Sequence, residues 1–110
     1  MTVRDLTEQP GFELLNPGVG LEGEVKAGCC CDLLSWVMAS GEEGAAWVTV
    51  QTHMNVVAVA SLHDFSCIIL SEGNRMAQPE LDKATSEGIP VLTTGRSSYA
   101  ACCVLHEMGV

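Results

Sequence analysis

Apolar residues fall in short runs separated by turns bearing Gly, Pro or Asn, and their spacing switches between a period near two and one near 3.6. The clearest case is Ala45 to Leu70, AAWVTVQTHMNVVAVASLHDFSCIIL. Ala45–Val50 reads as a strand, rich in β-branched and aromatic residues. A polar hinge follows, Gln51-Thr52-His53-Met54-Asn55. Asn55–Leu62 reads as a helix, because Val56, Val59 and Ala60 fall at helical spacing. His63-Asp64 closes it, Cys67–Leu70 is a second buried strand, and Glu72-Gly73-Asn74 is its exit turn. The result is a compact βαβ unit, a motif that gathers ligands at the carboxyl ends of its strands.

The same reading extends outward. Phe12–Leu15 reads as a strand, Asn16-Pro17-Gly18-Val19-Gly20 as a turn, and the alternating Leu21–Ala27 as a short strand. Gly28–Ser40 reads as a loop entering a helix, with Asp32 as cap or first-turn acid and Gly41 as terminator. Gln78–Glu87 carries the fullest helix signature: Pro79 in the first turn, Glu80 and Asp82 at the amino end, Gly88 at the stop. Pro90–Thr93 is a strand, Thr94-Gly95-Arg96 a turn, and Ser97 or Ser98 caps a last helix reaching about Met108. Residues 1–10 are polar and read as a short helix or a loose arm. Strands alternating with helices predict one α/β domain over residues 1–110, a small, mostly parallel sheet of four to five strands flanked by helices.

Composition narrows the function. The chain has 110 residues, is 47% hydrophobic and carries a formal charge of −9 from 14 acids against 5 bases. A core is affordable at this length, and the acidic field, with no basic cluster, argues against nucleic-acid binding. No apolar run reaches the roughly 18–20 residues of a membrane helix. Met1–Asp5 lacks the apolar heart of a secretory leader, so the expectation is a cytoplasmic chain with no membrane partner. The six cysteines then read as free thiols.

Three strand exits should share one edge of the sheet, and they hold the candidate ligand-binding residues: Thr52, His53 and Asn55; Ser71 and Glu72; Thr93, Thr94 and Arg96. Arg75 and Arg96 are two of the five bases and both sit at exit tips, a local reversal of charge suited to a carboxylate or phosphate. The glycine turns match neither a Walker nor a Rossmann fingerprint. No nucleophile elbow or HExxH motif is present, so no catalytic residue is assigned and no cofactor is expected. The alternative site is soft: Cys29, Cys30 and Cys31 before one helix, and Cys102, Cys103 and His106 on another, would suit a metal or iron–sulfur cluster. The bland reading of each is a buried thiol or a solvated loop.

The order Gly28, the helix about Leu33-Leu34, AAWVTVQTHMNVVAVASL, CIILSEG and EGIPVLTTGRSSYAA resembles the DRTGG domain family over roughly Leu21 to Gly109. Gly-Ile-Pro-Val-Leu-Thr-Thr followed by a Ser/Tyr-bearing helix is the most specific part. The Asp-Arg pair that names the family is absent, its place taken by Thr52-His53-Met54-Asn55. The resemblance implies a fold like the amino-terminal domain of HPr kinase. It also implies a homodimeric regulatory or assembly role without catalysis, and a stand-alone member linked to hydrogenase or redox signalling.

Overall fold

The computed structural model describes residues 1–110. The helices are α1 (Val3–Thr7), α2 (Leu34–Ser40), α3 (Met54–Leu62), α4 (Gln78–Ser86) and α5 (Ser98–Glu107). The strands are β1 (Phe12–Leu14), β2 (Ala27–Cys30), β3 (Ala45–Thr49), β4 (Cys67–Leu70) and β5 (Val91–Thr94). They form one five-stranded sheet in the order β1-β5-β4-β3-β2. Strands β2 to β5 are parallel, and β1 joins β5 antiparallel. The α/β architecture with a mostly parallel sheet is therefore the one the hydrophobic pattern predicts. No helix is long and apolar enough to cross a membrane.

Every residue of β3, β4 and β5 is buried, as a parallel sheet covered on both faces requires. Alternation divides them. Ala45, Trp47, Ile68, Leu70 and Val91 face one way, into a core completed by Val37 of α2, by Val56, Val57, Val59 and Ala60 of α3, and by Leu81 and Ala84 of α4. Ala46, Val48, Cys67, Ile69 and Leu92 face the other, against Val3 and Leu6 of α1 and Ala101 and Leu105 of α5. Strands in sequential order, joined by crossovers of one hand, place α2, α3 and α4 on the same face. The opposite face is left to the two terminal helices.

The start of the chain is consequently no loose arm. Thr2 and Asp5 form a reciprocal capping box around α1, which satisfies two free N–H groups at once, and Val3 and Leu6 have no solvent exposure. The expected strand Leu21–Ala27 is also corrected. Arg4 N donates to Leu21 O and Val3 N to Gly23 O, so this segment follows α1, touches strand geometry only at a Thr2–Glu24 bridge, and becomes strand at Ala27. Gly20 forces the departure: its φ is +62°, and a Cβ there would lie 2.6 Å from Gly88 O.

One buried polar side chain ties the two layers at the β1 end. Asn16, 6% exposed, donates through Nδ2 to Ile89 O at 2.9 Å and to Thr85 Oγ1 at 3.2 Å. Its Oδ1 accepts from Val91 N at 2.7 Å. It fixes the β1 exit to the turn between α4 and β5. Asn16→Ala leaves Ile89 O and Val91 N buried without partners, each worth about 1–3 kcal/mol. Urea denaturation is expected to show a loss of roughly 2–4 kcal/mol for this variant. Asn16→Asp should lose a comparable amount, because it keeps the acceptor but not the donors.

Candidate functional site

The carboxyl ends of β3, β4 and β5 meet in a hydrogen-bonded web. Ser71 N donates to Thr49 O at 3.1 Å, Gly73 N to Thr94 O at 2.8 Å and Glu72 N to Arg96 O at 2.8 Å. The hydroxyls point into this web. Ser71 Oγ lies 2.6 Å from Ser98 Oγ, Thr93 Oγ1 donates to Asn74 O at 2.7 Å, and Thr94 Oγ1 accepts from Arg96 N at 3.3 Å. Ser71, Thr93 and Thr94 are buried, so these three candidates build the edge rather than project from it. Glu72 is exposed and left-handed at φ 58°, followed by Gly73 at 73°. Two such residues in succession reverse the chain out of β4 at a conformational cost that only the glycine escapes.

The β3 exit is built differently. His53 is the N-cap of α3, with Nδ1 accepting from Asn55 N at 3.1 Å. A ring that accepts there must present a lone pair, leaving Nε2 as the outward N–H. His53 and Asn55 are exposed and Thr52 is half-buried. Since β4 separates β3 from β5, and strands lie about 4.8 Å apart, this trio stands about 10 Å from the β5 exit along the edge. The structure thus brings Ser71, Glu72, Thr93, Thr94 and Arg96 together, and sets Thr52, His53 and Asn55 beside them as a second group.

The antiparallel edge strand adds residues the sequence pattern did not assign. Phe12 pairs with Thr94, so the residues entering β1 lie at the carboxyl edge. Arg96 stacks over the Phe12 ring at 5.2 Å from its centroid and donates through Nη1 to Pro10 O at 2.9 Å. Its guanidinium occupies the space beside Gly11, whose φ is +82°. Nε and Nη2 of Arg96 have no protein partner. Arg75 is otherwise engaged, bonding both carboxylate oxygens of Glu13 at 3.1 and 2.9 Å. That contact holds the Glu13 carboxyl below its ordinary value and the guanidinium above its own. An open hollow of about 320 Å³ lies here, lined by Gly11, Phe12, Gly73, Arg75, Thr93 and Thr94 among others. The Pro10-Gly11 pair was the available signal, marking a tight turn ahead of β1.

Asp32 also reaches this end. It caps no helix, since Leu33 holds that position without a side-chain bond. Its Oδ1 accepts from Thr49 Oγ1 at 2.8 Å and Val50 N at 2.9 Å, holding the β2 exit to the β3 exit.

The six soft-ligand candidates do not gather into one cluster within the chain. Cys29 and Cys30 are strand residues of β2, not the amino end of a helix, and alternation sends their side chains to opposite faces. Cys29 and Cys31 pack on the α2–α4 side. Cys30 lies in a groove of about 240 Å³ with Cys102 and His106 of α5. No three Cys, His, Asp or Glu side chains, Cys103 included, converge as metal ligands. The thiols whose acidity moves are weakened as acids. Burial raises Cys29, helped by the neighbouring Cys31 and Cys30. Burial and the Cys30 thiol raise Cys102 to about 11. Cys67, wholly buried, is pushed up to about 12.

No protein-family model matches the chain, and no curated protein does. Two solved chains match. One is the crystal structure of the CBS and DRTGG domains of the regulatory region of Clostridium perfringens pyrophosphatase, complexed with its activator diadenosine tetraphosphate. The chain shares its fold with part of that region. The TM-score is 0.59 at 17% identity, over 68% of this chain and 33% of the other. This chain therefore spans about a third of that neighbour's length.

The Cys67 thiol gives a stability test. Above its unfolded value near 9, the unfolded chain loses this proton and the folded chain keeps it until about 12. Unfolding is favoured as pH rises through that window, by up to about 1.4 kcal/mol per pH unit. Urea midpoints measured from pH 8 to 11 should fall, and Cys67→Ala should flatten the alkaline slope.

Proposed function

We propose that the chain is a non-catalytic regulatory or interaction module of the DRTGG type. In this reading it is a cytoplasmic homodimer that senses a small anionic ligand or a partner loop at the carboxyl edge of its sheet. The observation that carries the reading is Arg96. It stands at the β5 exit against the β1 entry, anchored by one guanidinium nitrogen on Pro10 O and by the Phe12 ring, with Nε and Nη2 free of protein partners. A guanidinium held this way meets a phosphate with little further loss of freedom. The shared fold supports the same reading, because the neighbour is a regulatory region crystallised with a nucleotide activator. A link to hydrogenase or redox signalling draws no support from the fold or from the thiols.

The two groups on the edge suit an elongated ligand better than a lone phosphate. Arg96 would hold an anionic centre at the β5 end. About 10 Å away, the outward Nε2–H of His53, with Asn55 and Thr52, would receive a second polar part. Glu72, an acceptor between them, suits a sugar hydroxyl or a base amine. Ser71, Thr93 and Thr94 would act by fixing the loops that carry these groups.

Calorimetric titration with diadenosine tetraphosphate, ATP and inorganic pyrophosphate tests this. The dinucleotide is expected to bind best. The pair His53→Ala and Arg96→Ala should weaken it roughly 10- to 100-fold, the range for losing one or two charge-assisted bonds. The far-UV spectrum should be unchanged. Absence of binding by all three probes, or equal affinity in the double variant, overturns the edge site.

A further inference from the structure

One groove holds two thiols that neither the ligand edge nor the core uses. Its volume is about 240 Å³, and Gly28, Cys30, Cys102, Leu105, His106 and Val110 line it among others. Gly28 leaves the floor without a side chain: Val110 Cγ1 stands 3.7 Å from where a Cβ would be. Alternation along β2 turns Cys30 toward this side, and Cys102 lies on the facing helix α5 with His106 one turn beyond. The two thiols meet, Cys30 being the hydrogen-bonding partner of Cys102. Cys30 is exposed and Cys102 half-buried. The other cysteines stand apart from the pair. Cys29 and Cys31 pack on the opposite face, Cys67 is wholly buried, and Cys103 does not line the groove. The strand that carries Cys30 is an edge strand, held by β3 on one side only.

We propose that Cys30 and Cys102 form a reversible disulfide that fastens the edge strand β2 to α5, with a small disulfide such as oxidised glutathione as the oxidant. Two sulfurs suffice for this bond, where a tetrahedral metal needs four ligands. Disulfide geometry is demanding, and this is the pair whose thiols already hydrogen-bond. Exchange runs through a mixed disulfide. Cys30, the exposed sulfur, attacks one sulfur of the small disulfide as a thiolate. That S–S bond breaks and one small thiolate leaves. Cys102 then gives its proton to water, and its sulfur attacks the Cys30 sulfur. The mixed bond breaks and the second small thiolate leaves. Two protein thiols thus lose two electrons to become one disulfide, and one small disulfide is reduced to two thiols. The bond closes a loop of roughly 70 residues, long enough to restrict the unfolded chain strongly. It concerns the fastening of the fold and stands independently of the ligand edge.

Mass spectrometry of the whole reduced chain, incubated with oxidised glutathione and then alkylated, tests the pairing. Of the six cysteines, two should be joined and the rest alkylated, and fragment spectra should join Cys30 to Cys102. That mapping uses the unaltered chain and depends on no variant folding. Cys30→Ser and Cys102→Ser should each abolish the internal bond, while Cys29→Ser and Cys103→Ser should keep it. In urea the joined chain should unfold with an equilibrium constant roughly 30- to 1,000-fold smaller than the reduced chain, and dithiothreitol should restore the reduced value. Full alkylation of every cysteine at all glutathione ratios overturns the proposal. So does a bond between any other pair, or a joined chain that unfolds at lower urea than the reduced one.

Discussion

The handedness of three crossovers governs this molecule. Because β2 to β5 run in sequential order with every connection turning the same way, α2, α3 and α4 must cover one face of the sheet. Nothing within the βαβ run can cover the other. Yet Ala46, Val48, Cys67, Ile69 and Leu92 point there with an apolar surface that water would penalise. Only the ends of the chain are free to shield it, and α1 and α5 do so. The capping box of α1, the burial of Val3 and Leu6, and the diversion of Leu21–Gly23 along that helix all answer to the same requirement.

The requirement also explains which parts of the fold were legible beforehand. β3, α3, β4, α4 and α5 were readable because each element's period or caps agree with its place: the run CIIL, Pro79 at a helix start, Ser97 accepting from Ala100 N at 3.1 Å. The misread segments are those whose conformation is set by a distant partner. Val25 alternates with its polar neighbours as a strand residue would, but the partner of its N–H is Met1 O at 2.9 Å, some two dozen residues away. The triple cysteine looked like a loop before a helix because Gly28 suggested one. Pairing of Cys29 with Trp47 and of Cys30 with Val48 made it a strand, and the alternation that follows sends those two side chains to opposite faces.

The candidate edge was legible as a location and less so in its parts. Strand exits can be placed along a chain, so Ser71, Thr93, Thr94 and Arg96 fall together as expected. Which hydroxyl turns inward depends on loops from other exits and is not written locally. His53 is instructive: a threonine stands beside it, yet the imidazole takes the cap, because the helix begins at Met54. The contribution of β1 lay furthest from view, since an antiparallel edge strand of three residues has no crossover to betray its neighbour.

The inward-turned hydroxyls divide labour between residues that hold the edge and residues that face outward from it. Ser71, Thr93 and Thr94 are committed to closing the sheet, so substitutions at Glu72, Asn55 or His53 can change what the edge displays while the web behind stays intact. Such a surface can be reshaped by drift without passing through an unfolded ancestor.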